Sequence, residues 1–304
     1  SGVYQSEYDY YDNLCGYPNI PIDKERNLLI DIIKDNAKYI VKNIPEYSLP
    51  NLNLDNEDLE LERINQDEKI RQIKEINFYK KQKNKEQTII KWYNKLIDKD
   101  YAKAEYFDDE YIKLSSHERP QYLEWVTWRA FLSINTLKNM PYESRQFRVD
   151  SDLLPIHHAP SKTPDLIFEF DRFVLIVEVT FSSSSTQYSM EGEPVIRHCV
   201  NTQQKFSNKE VYCLFLAPSI SLNIALLYSK QDTWILSDET EVKFNNIIPL
   251  SFNVFWEFFQ NIPKASPDNP KKLHEILNSC VSSSKLKPKE WVLSIEQSFT
   301  SVRL

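Results

Sequence analysis

Two carboxylates thirteen residues apart carry the strongest chemical signal in this sequence. Thr163-Pro164-Asp165 opens an apolar run, Leu166 to Phe170. Asp171-Arg172 interrupts it, and a second run, Phe173 to Thr180, closes on Glu178-Val179-Thr180. Two such runs split by two polar residues predict a β-hairpin, although Asp-Arg lacks the glycine that two-residue turns favour. In an antiparallel pair folded about that turn, facing residues have numbers totalling 343, as 165 and 178 do. Two carboxylates meeting there repel unless a cation lies between them. Hard oxygen donors at one edge of a sheet suit Mg²⁺, and the Val179 backbone carbonyl can supply a third ligand.

Other elements must hold that pair. Residues 121–138 carry Tyr122, Leu123, Trp125, Val126, Trp128, Phe131 and Leu132 at helical spacing, with Glu124 set among them. A serine tract, Ser182–Ser185, reads as a loop, and 190–206 as a helix. Glu191 and His198 are seven residues apart, so on that helix they share a face. Val211–Leu216 is expected to be a buried strand and Asn246–Leu250 a fourth. Helices are expected at 252–260, 269–281 and 288–298. The first 116 residues read as antiparallel helices, the first with Asp23 as N-cap and an end at Pro45, the second starting near Asn56. The fold class is therefore α/β, a mixed sheet flanked by helices, with a helical region at 1–116 and the sheet-bearing domain at 117–304.

Composition bounds the rest. Among 304 residues, 44 acids oppose 37 bases, for a net charge of -7. The hydrophobic fraction of 41% is enough for a sizeable core. The three glycines, at positions 2, 16 and 192, exclude glycine-rich phosphate loops. No apolar run is long enough to span a membrane, and no basic start precedes an apolar stretch as in a secretory signal. Four scattered cysteines (Cys15, Cys199, Cys213, Cys280) lack zinc spacing and read as reduced thiols. Nine bases against two acids in residues 69–95 make a local charge of +7. Such a run is more often a solvated helix face than a phosphate track. Arg197 is open between pairing an acid and reaching a phosphate. Ser1-Gly2 with no initiating Met looks like a tag scar, so the chain is expected to be part of a longer protein.

Pro-Asp, a hairpin, then Glu-x-Lys is the pattern of the PD-(D/E)xK nucleases, with Thr180 here in the lysine position. Val177-Glu178-Val179-Thr180 and Met190-Glu191-Gly192-Glu193-Pro194-Val195-Ile196-Arg197-His198 resemble the cleavage domain of type IIS restriction and nicking endonucleases of the AlwI kind. So do Glu124-Trp125-Val126-Thr127-Trp128 upstream and Tyr212-Cys213-Leu214-Phe215-Leu216-Ala217-Pro218 downstream. Tyr10-Tyr11 and Tyr17-Pro18-Asn19-Ile20-Pro21 resemble the start of that family's helical linker.

The resemblance implies a PD-(D/E)xK core with catalytic residues Glu124, Asp165, Glu178, Glu191 and His198. Metal ligands would be Asp165, Glu178, the Val179 carbonyl and Glu124, with Mg²⁺ as cofactor and Mn²⁺ able to substitute. It implies a hydrolase of double-stranded DNA in a bacterial cytoplasm, leaving 5′-phosphate and 3′-hydroxyl ends. The sequence-recognition domain is expected to be missing or separate. A transient homodimer or heterodimer would be needed to cut both strands. His158 matches a family histidine, for which hydrogen bonding is the expected role. Two alternatives stand beside this: a structure-specific repair or junction nuclease of the same fold, and a decayed, non-catalytic DNA-associated protein.

Overall fold

Alternation of apolar residues between turn-forming breaks produces the strands, and helical periodicity produces the rest. The computed structural model describes residues 22–53, 55–107, 110–134, 137–235 and 239–301. Cys15 and the Tyr10–Pro21 motifs lie outside these. The chain packs as two compact units, Ser1–Lys74 and Glu75–Leu304.

The first unit holds α1 (Ile22–Asn43) and the start of α2 (Asn56–Gln82). Ile33, Ala37, Ile40, Leu59 and Ile73 are buried in it, while Leu28 and Ile64 are exposed. Asp23 lies inside α1 rather than capping it, because the helix begins one residue earlier. α1 stops ahead of Pro45, which cannot continue the backbone hydrogen-bond ladder.

The second unit begins within α2 and continues with α3 (Glu86–Ile97). A small hairpin follows, β1 (Glu105–Phe107) and β2 (Glu110–Ile112), where only helix was expected. Then come α4 (Arg119–Ile134), a single turn α5 (Pro141–Ser144), and the short pair β3 (Arg148–Val149) and β4 (Pro155–His157). The main sheet has four strands in the order β10-β7-β6-β5. They are β5 (Leu166–Glu169), β6 (Phe173–Val179), β7 (Glu210–Ala217) and β10 (Ile247–Ser251). β5 and β6 are antiparallel with Leu166 opposite Val177, so the predicted register holds. Phe170 N–H donates to the Phe173 carbonyl at 2.9 Å and closes the turn. β7 runs parallel to both β6 and β10.

The crossover from β6 to β7 is α6 (Ser184–Lys205). It starts six residues earlier than expected, so the serine tract is split: Ser184 and Ser185 are helical, and only Ser182 and Ser183 precede it. Beyond β7 lie α7 (Leu222–Lys230), the hairpin β8 (Thr233–Ile235) and β9 (Glu241–Lys243), then α8 (Phe252–Asn261), α9 (Asn269–Ser282) and α10 (Pro288–Thr300). Both faces of the sheet are therefore covered, which explains why β6 and β7 read as continuous apolar runs.

Every residue of α4 from Gln121 to Ile134 is buried. On one side Phe131 stacks between Phe168 of β5 (4.7 Å between centroids) and Phe255 of α8 (5.5 Å). On another, Trp92 of α3 meets Trp125 edge-on at 5.1 Å. Two-sided packing fixes the rotation of α4, and with it the direction in which Glu124 points. Gly192 serves the same end on α6. A Cβ there would come within 3.0 Å of Leu227 Cδ2, so its absence lets α6 and α7 approach closely.

Candidate active site

All five expected site residues lie in the second unit. Asp165 comes immediately before β5, and Glu178 is the penultimate residue of β6. The hairpin register thus brings both to one end of the sheet. The Val179 N–H donates to Asp165 Oδ2 at 2.8 Å, tying the two strand ends together through the carboxylate itself. Asp165, Glu178, Val179, Thr180, Glu191 and His198 line one cleft of about 350 Å³, into which Arg197 also opens.

Each side chain is held by a separate contact. Glu124, 5% exposed, accepts the Ala159 N–H at 3.0 Å. Ala159 belongs to the loop leading to Asp165, so α4 and that loop are joined at the site. Glu191 accepts from the Thr180 hydroxyl at 2.7 Å, and Thr180 in turn accepts the Ser182 N–H at 3.0 Å. The residue in the expected lysine position therefore orients a carboxylate. His198, 7% exposed, places Nδ1 2.8 Å from Glu178 Oε1 and Nε2 3.2 Å from the Ser161 carbonyl. A carbonyl only accepts, so Nε2 carries a proton and Nδ1 faces Glu178.

The electrostatics have one dominant cause. Burial pushes Glu124 up to about 10, with Asp165 adding repulsion. Burial also raises Asp165 well above the usual carboxylate range; Glu178 and Glu191 raise it further, and the Val179 N–H opposes them. Glu178 is raised in the same way, again by burial first and then by Glu191 and Glu124. Burial lowers His198. Both shifts favour the neutral form of the Glu178–His198 pair, in which the carboxyl proton is donated to Nδ1. Arg197 is the one Lys or Arg lining the cleft among the described residues. Its Nε is held by Glu193 at 2.9 Å. Of the two alternatives left open by the sequence, the pairing with an acid is the one seen, and the remaining guanidinium donors border the cleft.

An all-oxygen set of mutually repelling carboxylates beside one fixed cation fits a hard divalent ion. Among the described residues, no three His, Cys, Asp or Glu side chains converge as a ready-made metal cage. Mg²⁺ is commonly held by one or two carboxylates, with water and substrate phosphate completing its shell.

The sequence matches the AlwI restriction endonuclease family over residues 2–258. The chain belongs to that family. The matched span includes every residue of the cleft. Among solved structures, the chain is similar to the small subunit of the heterodimeric restriction endonuclease R.BspD6I, with 26% identity and a TM-score of 0.52 over 69% of this chain and 97% of that one. No curated protein sequence matches. A restriction-type DNA endonuclease is thus the activity to which the family and the structural neighbour both point. No helix among the described residues is long and apolar enough to cross a membrane.

Several groups at this AlwI-family site have no signature in the sequence. The Ala159 N–H and the Ser161 carbonyl are backbone atoms that any residue could supply. Gln187 is fully buried and bonds the carbonyls of Ser182 and Ser219, joining the loops that follow β6 and β7. His157 and His158 are exposed.

Proposed function

We propose that this chain is the Mg²⁺-dependent cleavage module of a type IIS restriction or nicking endonuclease with a PD-(D/E)xK core. The supporting observation is the meeting of Asp165, Glu178 and Glu191 in one cleft where, among the described residues, Arg197 is the one Lys or Arg to offset them. Asp165 and Glu178, with the Val179 carbonyl and Glu124 close by, would hold the ion. When bound, it would lower the pKa of an attacking water and stabilise charge building on the phosphate.

The chain's own residues do the rest. Asp165 is aimed by the Val179 N–H, and Glu191 by Thr180. Ionisation of Glu178 removes the proton shared with His198, so Nδ1 must itself become a donor. His198 is then placed to take or release a proton within the cleft. Arg197 supplies the permanent charge that Thr180 cannot, donating to a non-bridging phosphate oxygen. Water adds to phosphorus, the bond from phosphorus to the 3′-oxygen breaks, and that oxygen takes up a proton, leaving 5′-phosphate and 3′-hydroxyl. One cleft cuts one strand. Cutting both strands requires a second active site, from another copy or a different subunit, and sequence recognition falls to a separate domain.

End chemistry tests this reading. Supercoiled plasmid treated with the protein and Mg²⁺ or Mn²⁺ should become open circles that DNA ligase reseals. Plasmid left intact at high protein with either metal would refute the proposal.

A further inference from the structure

A second groove, of about 410 Å³, continues from the cleft and shares Thr163 and His198 with it. Its chemistry is the reverse of the cleft's. Lys162 and Lys205 supply ammonium groups, and Gln146, Asn201 and Gln204 supply amides. No Asp or Glu lines it. Both lysines are exposed. Neither is paired with a carboxylate among the described residues, in contrast to Lys209, which binds Glu169 at 2.7 Å. The groove follows the outer side of β5, the edge strand, and the C-terminal half of α6.

We infer that this groove is a phosphate track, the subsite that holds the DNA backbone next to the phosphate being hydrolysed. Rigid placement supports it. His198 forms part of both walls, so a strand whose scissile phosphate sits by Asp165 and Glu178 has its neighbouring phosphates beside Lys162 and Lys205. The amides suit a sequence-independent track, because they can donate to phosphate oxygens without reading base edges. The track also accounts for how an acidic protein engages a polyanion: its cations are gathered where the strand runs and its acids where the cation sits. This inference rests on the nuclease reading of the cleft.

Salt dependence of DNA binding tests it. The 304-residue protein is titrated with a fluorescent 30-base-pair duplex in metal-free buffer at several salt concentrations. Each phosphate contact contributes roughly 0.9 to the slope of log K against log salt. The double variant Lys162→Gln/Lys205→Gln should therefore show a slope shallower by about 1.8. The comparison variant is Arg172→Gln/Lys271→Gln, which removes two cations from the cleft at the hairpin-turn end of the sheet. It should match the wild type. An unchanged slope in Lys162→Gln/Lys205→Gln, an equal loss in the comparison variant, or no binding by the wild type at low salt would overturn the track. If the wild type nicks plasmid while the lysine variants bind normally, the track falls and the nuclease reading stands. If the slope changes as expected but plasmid is never nicked, the reverse holds.

Discussion

At the scale of single residues, the site gathers carboxyl groups whose charged forms are disfavoured by burial and by one another. Asp165, Glu178 and Glu124 have folded-state pKa values above their unfolded ones. For a carboxyl raised in this way, the stabilising protonated form is complete below the unfolded value and is lost as pH climbs toward the folded one. For Glu124 that window runs from 4.5 to about 10. In metal-free buffer, the wild type should lose melting temperature relative to Asp165→Asn as pH rises from 5 to 9. At pH 8, Mg²⁺ near 100 times its Kd should add ~2.7 kcal/mol to the wild type, or roughly 5–10 °C, and little to Asp165→Asn. A wild type as indifferent to Mg²⁺ as the variant would remove the metal site. Arg197 belongs to the same scale. Arg197→Ala should lose on the order of 10²–10³ in kcat, the usual cost of one positioned charge or donor, and millimolar guanidinium should restore part of it. Glu193→Gln, which breaks only the surface pair, should stay within about threefold of the wild type.

At the scale of elements, the site depends on how tightly α4 is clamped. Arg129, fully buried on α4, makes a two-pronged pair with Glu110 of β2, both contacts at 2.8 Å, and donates from Nε to Gln82 at 2.8 Å. Trp92 of α3 donates to the same Glu110 at 2.5 Å. Glu110→Ala leaves a buried guanidinium without its counter-charge, which should cost about 3–5 kcal/mol, measurable by urea unfolding. A loss under 1 kcal/mol would show that water replaces the carboxylate. Little of this clamp is legible in the sequence. The Asp165–Glu178 meeting was legible because a hairpin's register follows from its turn, and Glu124 because it is an acid among tryptophans. The β1–β2 hairpin was not, since its three-residue strands are too short for a period to show. The early start of α6 was hidden because serine is as common in loops as at helix starts.

At the scale of the whole molecule, charge is sorted rather than merely acidic. Residues 1–120 hold 24 acids and 19 bases and the remainder 20 and 18, so both parts are weakly negative. The second unit nonetheless keeps Glu124, Asp165, Glu178 and Glu191 in a single place. A chain that neutralises few phosphates binds DNA weakly, and its affinity falls only gradually with salt. Acting alone, it should convert supercoiled plasmid to open circles well before linear product appears, because each cleft meets one strand. Linear product formed from the outset, in proportion to the first power of protein concentration, would indicate two strands cut by one chain.

The central claim is that Asp165 and Glu178 form the catalytic centre of a metal-dependent DNA hydrolase. The most direct measurement compares plasmid cleavage by the wild type, Asp165→Ala and Glu178→Ala, each with Mg²⁺ and with chelator. Nicking by the wild type in Mg²⁺ alone, with both variants silent under every condition, is the predicted result. Cleavage that persists in the two variants, or that survives chelation, would contradict it.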